Sequence, residues 1–189
     1  MPRARPETES LDPFFRGLRD RAVATWQSPD GYDYDSVLYS MHYPFTESDL
    51  DRILSWVGRR GERTHLPPVV SLNQDLEGAT YPSMAAKAPR GVSAHAWSAV
   101  LHFCDPSYPL YTDAAARGLE RLGFRLMALK SPNAYPTFLS AVDTLKERAP
   151  VWSIPETNWY LARVIEVGLG SWKAATRQAA ARGASRARA

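Results

Sequence analysis

The sequence contains one cysteine, Cys104, among its 189 residues. A single thiol excludes an internal disulfide, a four-cysteine zinc site and a four-cysteine iron–sulfur cluster. No apolar run approaches the roughly 20 residues that cross a bilayer. The N-terminal stretch MPRARPETES also lacks the apolar core of a signal peptide. We therefore expect a cytoplasmic protein that does not insert into a membrane and that is associated with the nucleoid if it binds DNA.

Several motifs that mark enzyme classes are also missing. The chain has no GxxxxGK phosphate loop, no HExxH, no GxSxG and no paired-cysteine spacing. These absences remove the sequence support for a nucleotide-binding loop, a zinc-protease helix and a serine nucleophile elbow. We expect neither a bound metal nor a cofactor.

The composition is that of a folded protein, with 44% hydrophobic and 11% aromatic residues. The length fits one domain, and we predict a single all-helical domain over residues 1–170, followed by a basic helix or tail over residues 171–189. That last segment contains no acid. Basic clusters of this kind suit DNA phosphate or another acidic surface, although a solvated terminus is the alternative. Its five basic residues are Lys173, Arg177, Arg182, Arg186 and Arg188.

A second basic group lies nearer the middle of the chain. It is diluted by Glu62 and by acidic residues just upstream. This group also suits phosphate or another acidic surface. Its members are Arg52, Arg59, Arg60 and Arg63.

Apolar residues recur at helical spacing through most of the chain, and no segment makes a convincing strand. Thr46 to Asp49 resembles a capping box at a helix start, and Ser93 to Cys104 is apolar on nearly every side, as in a central buried helix. We predict a compact all-α domain of eight to ten orthogonally packed helices joined by short Pro- or Gly-marked turns. Val69–Leu76 is predicted to be a helical or irregular connector. Further predicted helical segments are Asp33–Tyr43, Tyr81–Ala88, Asp113–Leu122, Asn133–Arg148, Pro155–Val167 and a last helix from Ser171.

The segment from Pro89 to Gly123 carries four short motifs in sequence order. It resembles the helix-hairpin-helix base-excision DNA glycosylases, in particular their small bacterial members, over about the central and C-terminal two-thirds of the chain. The resemblance implies a helix-hairpin-helix glycosylase-like fold, DNA as the partner and a link to DNA repair. The motifs are Gly91-Val92-Ser93, Leu101-His102-Phe103, Tyr108-Pro109-Leu110 and Thr112-Asp113.

The turn before the buried helix is the predicted DNA contact. A tight turn that ends at a helix start points unpaired backbone N–H groups outward, where they can hold a phosphate. Gly91 takes the first glycine position of the family, whereas Ser93 replaces the second and is also able to cap the helix. We predict DNA binding by Arg90, Gly91, Ser93 and His95, with a simple helix–helix turn as the alternative.

The resemblance also implies a carboxylate at the next helix start, which assists cleavage of the glycosidic bond to a flipped base. An ungapped count from the hairpin puts this role on Asp113, and a count back from Tyr108-Pro109 puts it on Thr112. Either residue is otherwise an ordinary N-cap. The lysine of the bifunctional members corresponds to His95, so imine chemistry is not expected. His95 is a candidate for contacting phosphate or orienting water, or it is a packed core residue.

These features favour a DNA-binding protein on a glycosylase-like helical scaffold that holds DNA without catalysis. One alternative is a monofunctional glycosylase that uses Asp113. Another is a structural or protein-interaction domain in which the hairpin only packs. The sequence leaves open whether the DNA is single- or double-stranded, and it leaves the oligomeric state open.

Overall fold

The computed structural model describes residues 37, 40, 41, 43–129, 131–148 and 161. These residues form helices and no strand, so the all-α class is confirmed for this part of the chain. Most of the predicted helices Asp33–Tyr43 and Pro155–Val167, and the whole basic segment 171–189 with the last predicted helix, lie outside the described residues. The helices are α1 (Glu47–Trp56), a 3₁₀ helix (Arg60–His65), α2 (Val69–Glu77), α3 (Ala94–Cys104), α4 (Asp113–Arg121) and α5 (Ala134–Arg148).

Hydroxyl side chains set the start of three of these helices. At α1, the Thr46 hydroxyl accepts from the Asp49 backbone N–H at 3.3 Å, and the Asp49 carboxylate accepts from the Thr46 N–H at 2.8 Å. This is the predicted capping box, which is confirmed. Ser93 and Thr112 cap α3 and α4 in the same way, each through a backbone N–H three residues ahead.

Helix α3 is buried along ten of its eleven residues, as its apolar sequence predicts. Helix α1 packs against both α3 and the 3₁₀ helix. At the contact with α3, the rings of Trp56 and Phe103 meet edge-to-face with centroids 5.4 Å apart. Burial of α3 fixes the turn that precedes it, because the first residues of the helix lie in the same core.

The segment Tyr81–Ala88, predicted to be a helix, forms consecutive turns instead over residues 81–86. Its backbone bonds join residues three apart, as in the bond from the Ser83 N–H to the Thr80 carbonyl at 2.7 Å. The Met84 carbonyl accepts both the Lys87 N–H at 3.0 Å and the Trp97 indole N–H at 2.9 Å, so the turns are also bound to α3 through a tertiary hydrogen bond. The segment predicted as a helical or irregular connector over Val69–Leu76 is the regular helix α2.

The described chain divides into two compact units. One contains the described residues of Trp26–Tyr111 together with Met127–Leu139, and the other contains those of Thr112–Leu126 and Ser140–Ala189. In the second unit, Gly118 of α4 lies so close to the Leu161 backbone that a Cβ at this position would overlap the carbonyl. In the described part of the chain, no helix combines the length and apolar character needed to cross a membrane.

Candidate nucleic-acid interface

A tight turn, Pro89–Ser93, leads into α3. The Val92 N–H donates to the Pro89 carbonyl at 3.0 Å, and Gly91 has a φ of +88°, which glycine adopts without the steric cost of a Cβ. Ser93 is the N-cap, and its hydroxyl accepts from the Ala96 N–H at 3.3 Å. The serine at the second glycine position therefore stabilises the start of α3 directly.

A carboxylate from the 3₁₀ helix binds the end of this turn. The Glu62 Oε2 atom accepts the Ser93 backbone N–H at 2.7 Å. The other oxygen, Oε1, lies 3.7 Å from Nε of Arg59. A backbone amide and a guanidinium are the donors with which proteins hold phosphate, so the turn presents an anion site that the chain's own Glu62 occupies.

The imidazole of His65 covers Gly91. A Cβ built on Gly91 would lie 2.9 Å from Cγ and Nδ1 of His65, closer than side chains pack. The absence of a side chain at Gly91 therefore permits two things, the positive φ of the turn and its close contact with the 3₁₀ helix. Arg90, the other predicted DNA contact in the turn, is exposed.

His95 lies one residue into α3 and is 7% exposed. Its ring meets the Tyr111 ring edge-to-face at 5.1 Å, and its Nδ1 atom is 3.5 Å from Nη2 of Arg59. Because a guanidinium only donates hydrogen bonds, Nδ1 accepts in this contact. Ser98 links the two neighbours, donating to the His95 carbonyl at 3.1 Å and accepting from the Tyr111 N–H at 2.8 Å. His95 is thus a packed residue beside the guanidinium of Arg59.

Thr112 and Asp113 occupy different positions at the start of α4. The Thr112 hydroxyl accepts from the Ala115 N–H at 3.0 Å, so Thr112 is the N-cap. Asp113 is the first helical residue and is exposed. Both belong to the second unit, whereas the turn belongs to the first. The predicted contacts in the basic C-terminal segment, namely Lys173, Arg177, Arg182, Arg186 and Arg188, lie outside the described residues.

Sequence reasoning missed the contribution of the 3₁₀ helix to this site. The sequence pattern presents Glu62 only as an acid that dilutes a basic group, and it gives no signal for His65. Glu62 lies 31 residues before Ser93, so no local spacing connects them. The one available signal was the glycine at position 91, which predicts close approach by another group without identifying that group.

The imidazole of His102 and the thiol of Cys104 are both held in their uncharged forms by burial. His102 of α3 is fully buried with Nδ1 2.6 Å from the Tyr108 carbonyl, and burial lowers its pKa to about 4. Burial, with a smaller effect of Asp105, raises the pKa of the Cys104 thiol to about 11. At neutral pH the imidazole is therefore uncharged and the thiol keeps its proton. Among the described residues, no group of three or more histidine, cysteine or acidic side chains is placed to hold a metal.

Comparison with known proteins gives no match: no family model, no curated protein and no solved structure matches this chain. The similarity to the helix-hairpin-helix glycosylases therefore depends on the motifs of Pro89–Gly123 and stays a prediction. The geometry of the turn, its helix cap and its anion site stands independently of that similarity.

Proposed function

We propose that this protein binds DNA on a glycosylase-like helical scaffold and holds it without catalysis. One observation carries the proposal: the turn before α3 and the guanidinium of Arg59 surround an anion, the carboxylate of Glu62. A DNA phosphate that displaces Glu62 finds the same donors. The basic segment 171–189 adds the long-range attraction that single phosphate contacts lack.

Exposed Arg90 is the residue of the turn best placed to meet an incoming phosphate first. It is adjacent to Gly91, and among the described residues it has no hydrogen-bond or ion-pair partner. Its guanidinium can therefore reach solvent or a ligand without breaking an internal contact. In this proposal Arg90 attracts the phosphate and the amide of Ser93 fixes it.

The test is the salt dependence of affinity for single- and double-stranded DNA, measured with the full chain. We expect the logarithm of affinity to fall linearly with the logarithm of salt concentration, with about 0.9 of slope per phosphate contact on duplex DNA. Arg90→Gln should lower that slope by about 0.9, the contribution of one phosphate contact. Arg125 is an exposed arginine of the other unit, so Arg125→Gln serves as the charge-matched control. Absence of DNA binding at low salt overturns the proposal.

A glycosylase is a second candidate because the resemblance implies a carboxylate at the start of α4, and Asp113 is an exposed carboxylate at that position, next to the N-cap Thr112. The assay is release of a base from duplexes that each contain one damaged base. Base release that Asp113→Asn abolishes and Thr112→Ser retains would support this candidate. Base release unaffected by Asp113→Asn would remove Asp113 from the mechanism.

A purely structural role is the third candidate, and the packing of the turn favours it. Glu62 and His65 fill the face of the turn that a phosphate would approach. In that case, the turn serves to dock the 3₁₀ helix, and the protein does not bind DNA. Glu62→Gln separates this role from phosphate binding, because removal of the charge should raise DNA affinity only if the turn binds phosphate.

A further inference from the structure

The four arginines of the central basic group have different environments. Arg63 is paired with Glu47 and lies 3.7 Å from a carboxylate oxygen of Asp51, and Arg59 faces Glu62. Those two positive charges are therefore balanced within the chain. Arg52 and Arg60 line the same surface cleft of about 420 Å³.

The cleft is formed by one face of α1 and by the first residue of the 3₁₀ helix. Ser48, Arg52 and Ser55 follow one another at spacings of four and three residues, which places them along one side of α1. Arg60 reaches the same side from the 3₁₀ helix, and its Nε donates to the Ser55 hydroxyl at 2.8 Å, with Nη2 bonded to the same oxygen. Ser55 therefore holds one guanidinium in place at the wall of the cleft.

The second guanidinium of the cleft is uncommitted. Arg52 is exposed and, among the described residues, has no hydrogen-bond or ion-pair partner, and the same holds for the Ser48 side chain. The one acid in the lining, Asp51, is the residue that Arg63 approaches. The lining thus contains two guanidiniums, the exposed Ser48 hydroxyl and only one carboxylate, which already has a partner.

We propose that this cleft binds a phosphate group. Two guanidiniums and the hydroxyl of Ser48 supply donors in several directions, which suits the oxygens of a tetrahedral anion. The phosphate has two sources of the same chemistry, a small phosphorylated molecule or the backbone of DNA. Only the second source depends on the proposed function, for which the cleft would be a backbone contact separate from the turn before α3.

The first arm of the test uses inorganic phosphate and the full chain. In a ¹⁵N-labelled sample at constant ionic strength, phosphate replaces chloride while the side-chain Nε–H signals of Arg52 and Arg60 are followed. We expect saturable shifts of both signals and at least about fivefold weaker binding by Arg52→Gln. Arg125→Gln, which removes an equal charge from the other unit, should bind phosphate as the unmodified protein does.

Arg52→Gln is expected to fold normally because, among the described residues, the exposed arginine side chain makes no hydrogen bond or ion pair that the substitution would break, and its unfolding temperature checks this. Signals that never saturate, or equal phosphate binding by Arg52→Gln, overturn the proposal. Ser55→Ala gives a second measure, because it removes the hydroxyl that holds the Arg60 guanidinium at the cleft wall and should weaken phosphate binding while Arg52 is intact.

The second arm identifies the source of the phosphate. If DNA supplies it, Arg52→Gln lowers the salt slope of duplex binding by about 0.9 beyond any change caused by Arg125→Gln. An unchanged slope together with saturable phosphate binding assigns the cleft to a small phosphorylated molecule. Complete absence of DNA binding overturns the proposed function. The titration with inorganic phosphate contains no DNA, so it still shows whether the cleft binds phosphate.

Discussion

Glu62 is the residue on which the interpretation of the turn depends. Its carboxylate stabilises the start of α3 through the Ser93 N–H, as an anion at a helix N-terminus does. The same negative charge repels a DNA phosphate from the same amide. A single side chain therefore connects the stability of the turn with its availability to a ligand, and these two effects have opposite signs.

Glu62→Gln should consequently lower stability and raise DNA affinity. The amide oxygen of glutamine can still accept the Ser93 N–H, but loss of the charge weakens that bond and should lower the free energy of unfolding by about 1 kcal/mol. Removal of the repulsion should raise DNA affinity by about fivefold, or about 1 kcal/mol. Denaturant unfolding and a DNA titration at fixed salt measure the two effects.

Glu120→Gln is the matched control, because Glu120 is an exposed acid on α4 of the other unit. Glu120→Gln should change the free energy of unfolding and the DNA affinity by less than Glu62→Gln does. A Glu62→Gln protein that is destabilised but binds DNA no better would show that the turn is structural. Equal gains in DNA affinity in both variants would reflect net charge alone.

His102 gives the protein a stability that depends on pH. Burial lowers its pKa from 6.5 to about 4, so between these values the unfolded chain binds more protons than the folded chain. The contribution of the neutral imidazole is complete above pH 6.5 and is lost as the pH falls toward 4. The full effect is of the order of 3 kcal/mol.

Comparison of the unmodified protein with His102→Gln isolates this contribution. The variant removes the titrating ring, and its side-chain amide can still donate to the Tyr108 carbonyl that Nδ1 contacts. At neutral pH the free energy of unfolding of His102→Gln should be lower than that of the unmodified protein. Between pH 6.5 and 4 it should decline less steeply, because the variant lacks the titrating ring. Parallel pH curves for the two proteins would show that His102 is not the group responsible.

At the scale of secondary structure, the helix starts were predictable and the docking of elements was not. Thr46 and Asp49 specify the start of α1 within four residues, and the apolar run after Ser93 specifies α3. The contact of the 3₁₀ helix with the turn joins groups about thirty residues apart, so no spacing rule gives it. For the same reason, the anion site was predicted at the turn without its occupant, Glu62.

The docking of the 3₁₀ helix on the turn should make Gly91 intolerant of a side chain. Gly91→Ala imposes a positive φ on alanine, at a cost of about 1–2 kcal/mol, and puts its Cβ against the ring of His65. In the His65→Ala background, the same substitution should cost only the backbone part. A double-mutant cycle in denaturant unfolding measures the difference.

Gly61→Ala is the internal control for this cycle, because a Cβ there meets nothing within 4 Å. Gly61 belongs to the 3₁₀ helix itself, so the control also tests whether that helix accepts alanine. We expect its free energy of unfolding to change by less than about 0.5 kcal/mol. A Gly91→Ala protein as stable as Gly61→Ala would contradict the packing of His65 on the turn.

At the scale of the whole molecule, charge is distributed unevenly while the net charge is only +3. The described central arginines are partly neutralised by neighbouring acids, as in the pairing of Arg63 with Glu47. Residues 171–189 contain five basic residues and no acid, so their charge has no neighbour in sequence to offset it. If DNA is held by electrostatic attraction, this segment should provide more of the salt dependence than the described surface does.

Replacing all five basic residues of that segment by glutamine tests this in the full chain and changes the net charge from +3 to −2. Each lost phosphate contact removes about 0.9 from the slope of log affinity against log salt on duplex DNA, so the slope should flatten by up to about 4.5. The free energy of unfolding should stay the same if the segment is solvated, which separates loss of binding from loss of fold. A slope equal to that of the unmodified protein would place the phosphate contacts on the turn and on the cleft instead, because those are the described sites that keep their cations in this variant. Combining the five substitutions with Arg90→Gln and Arg52→Gln should then remove what remains.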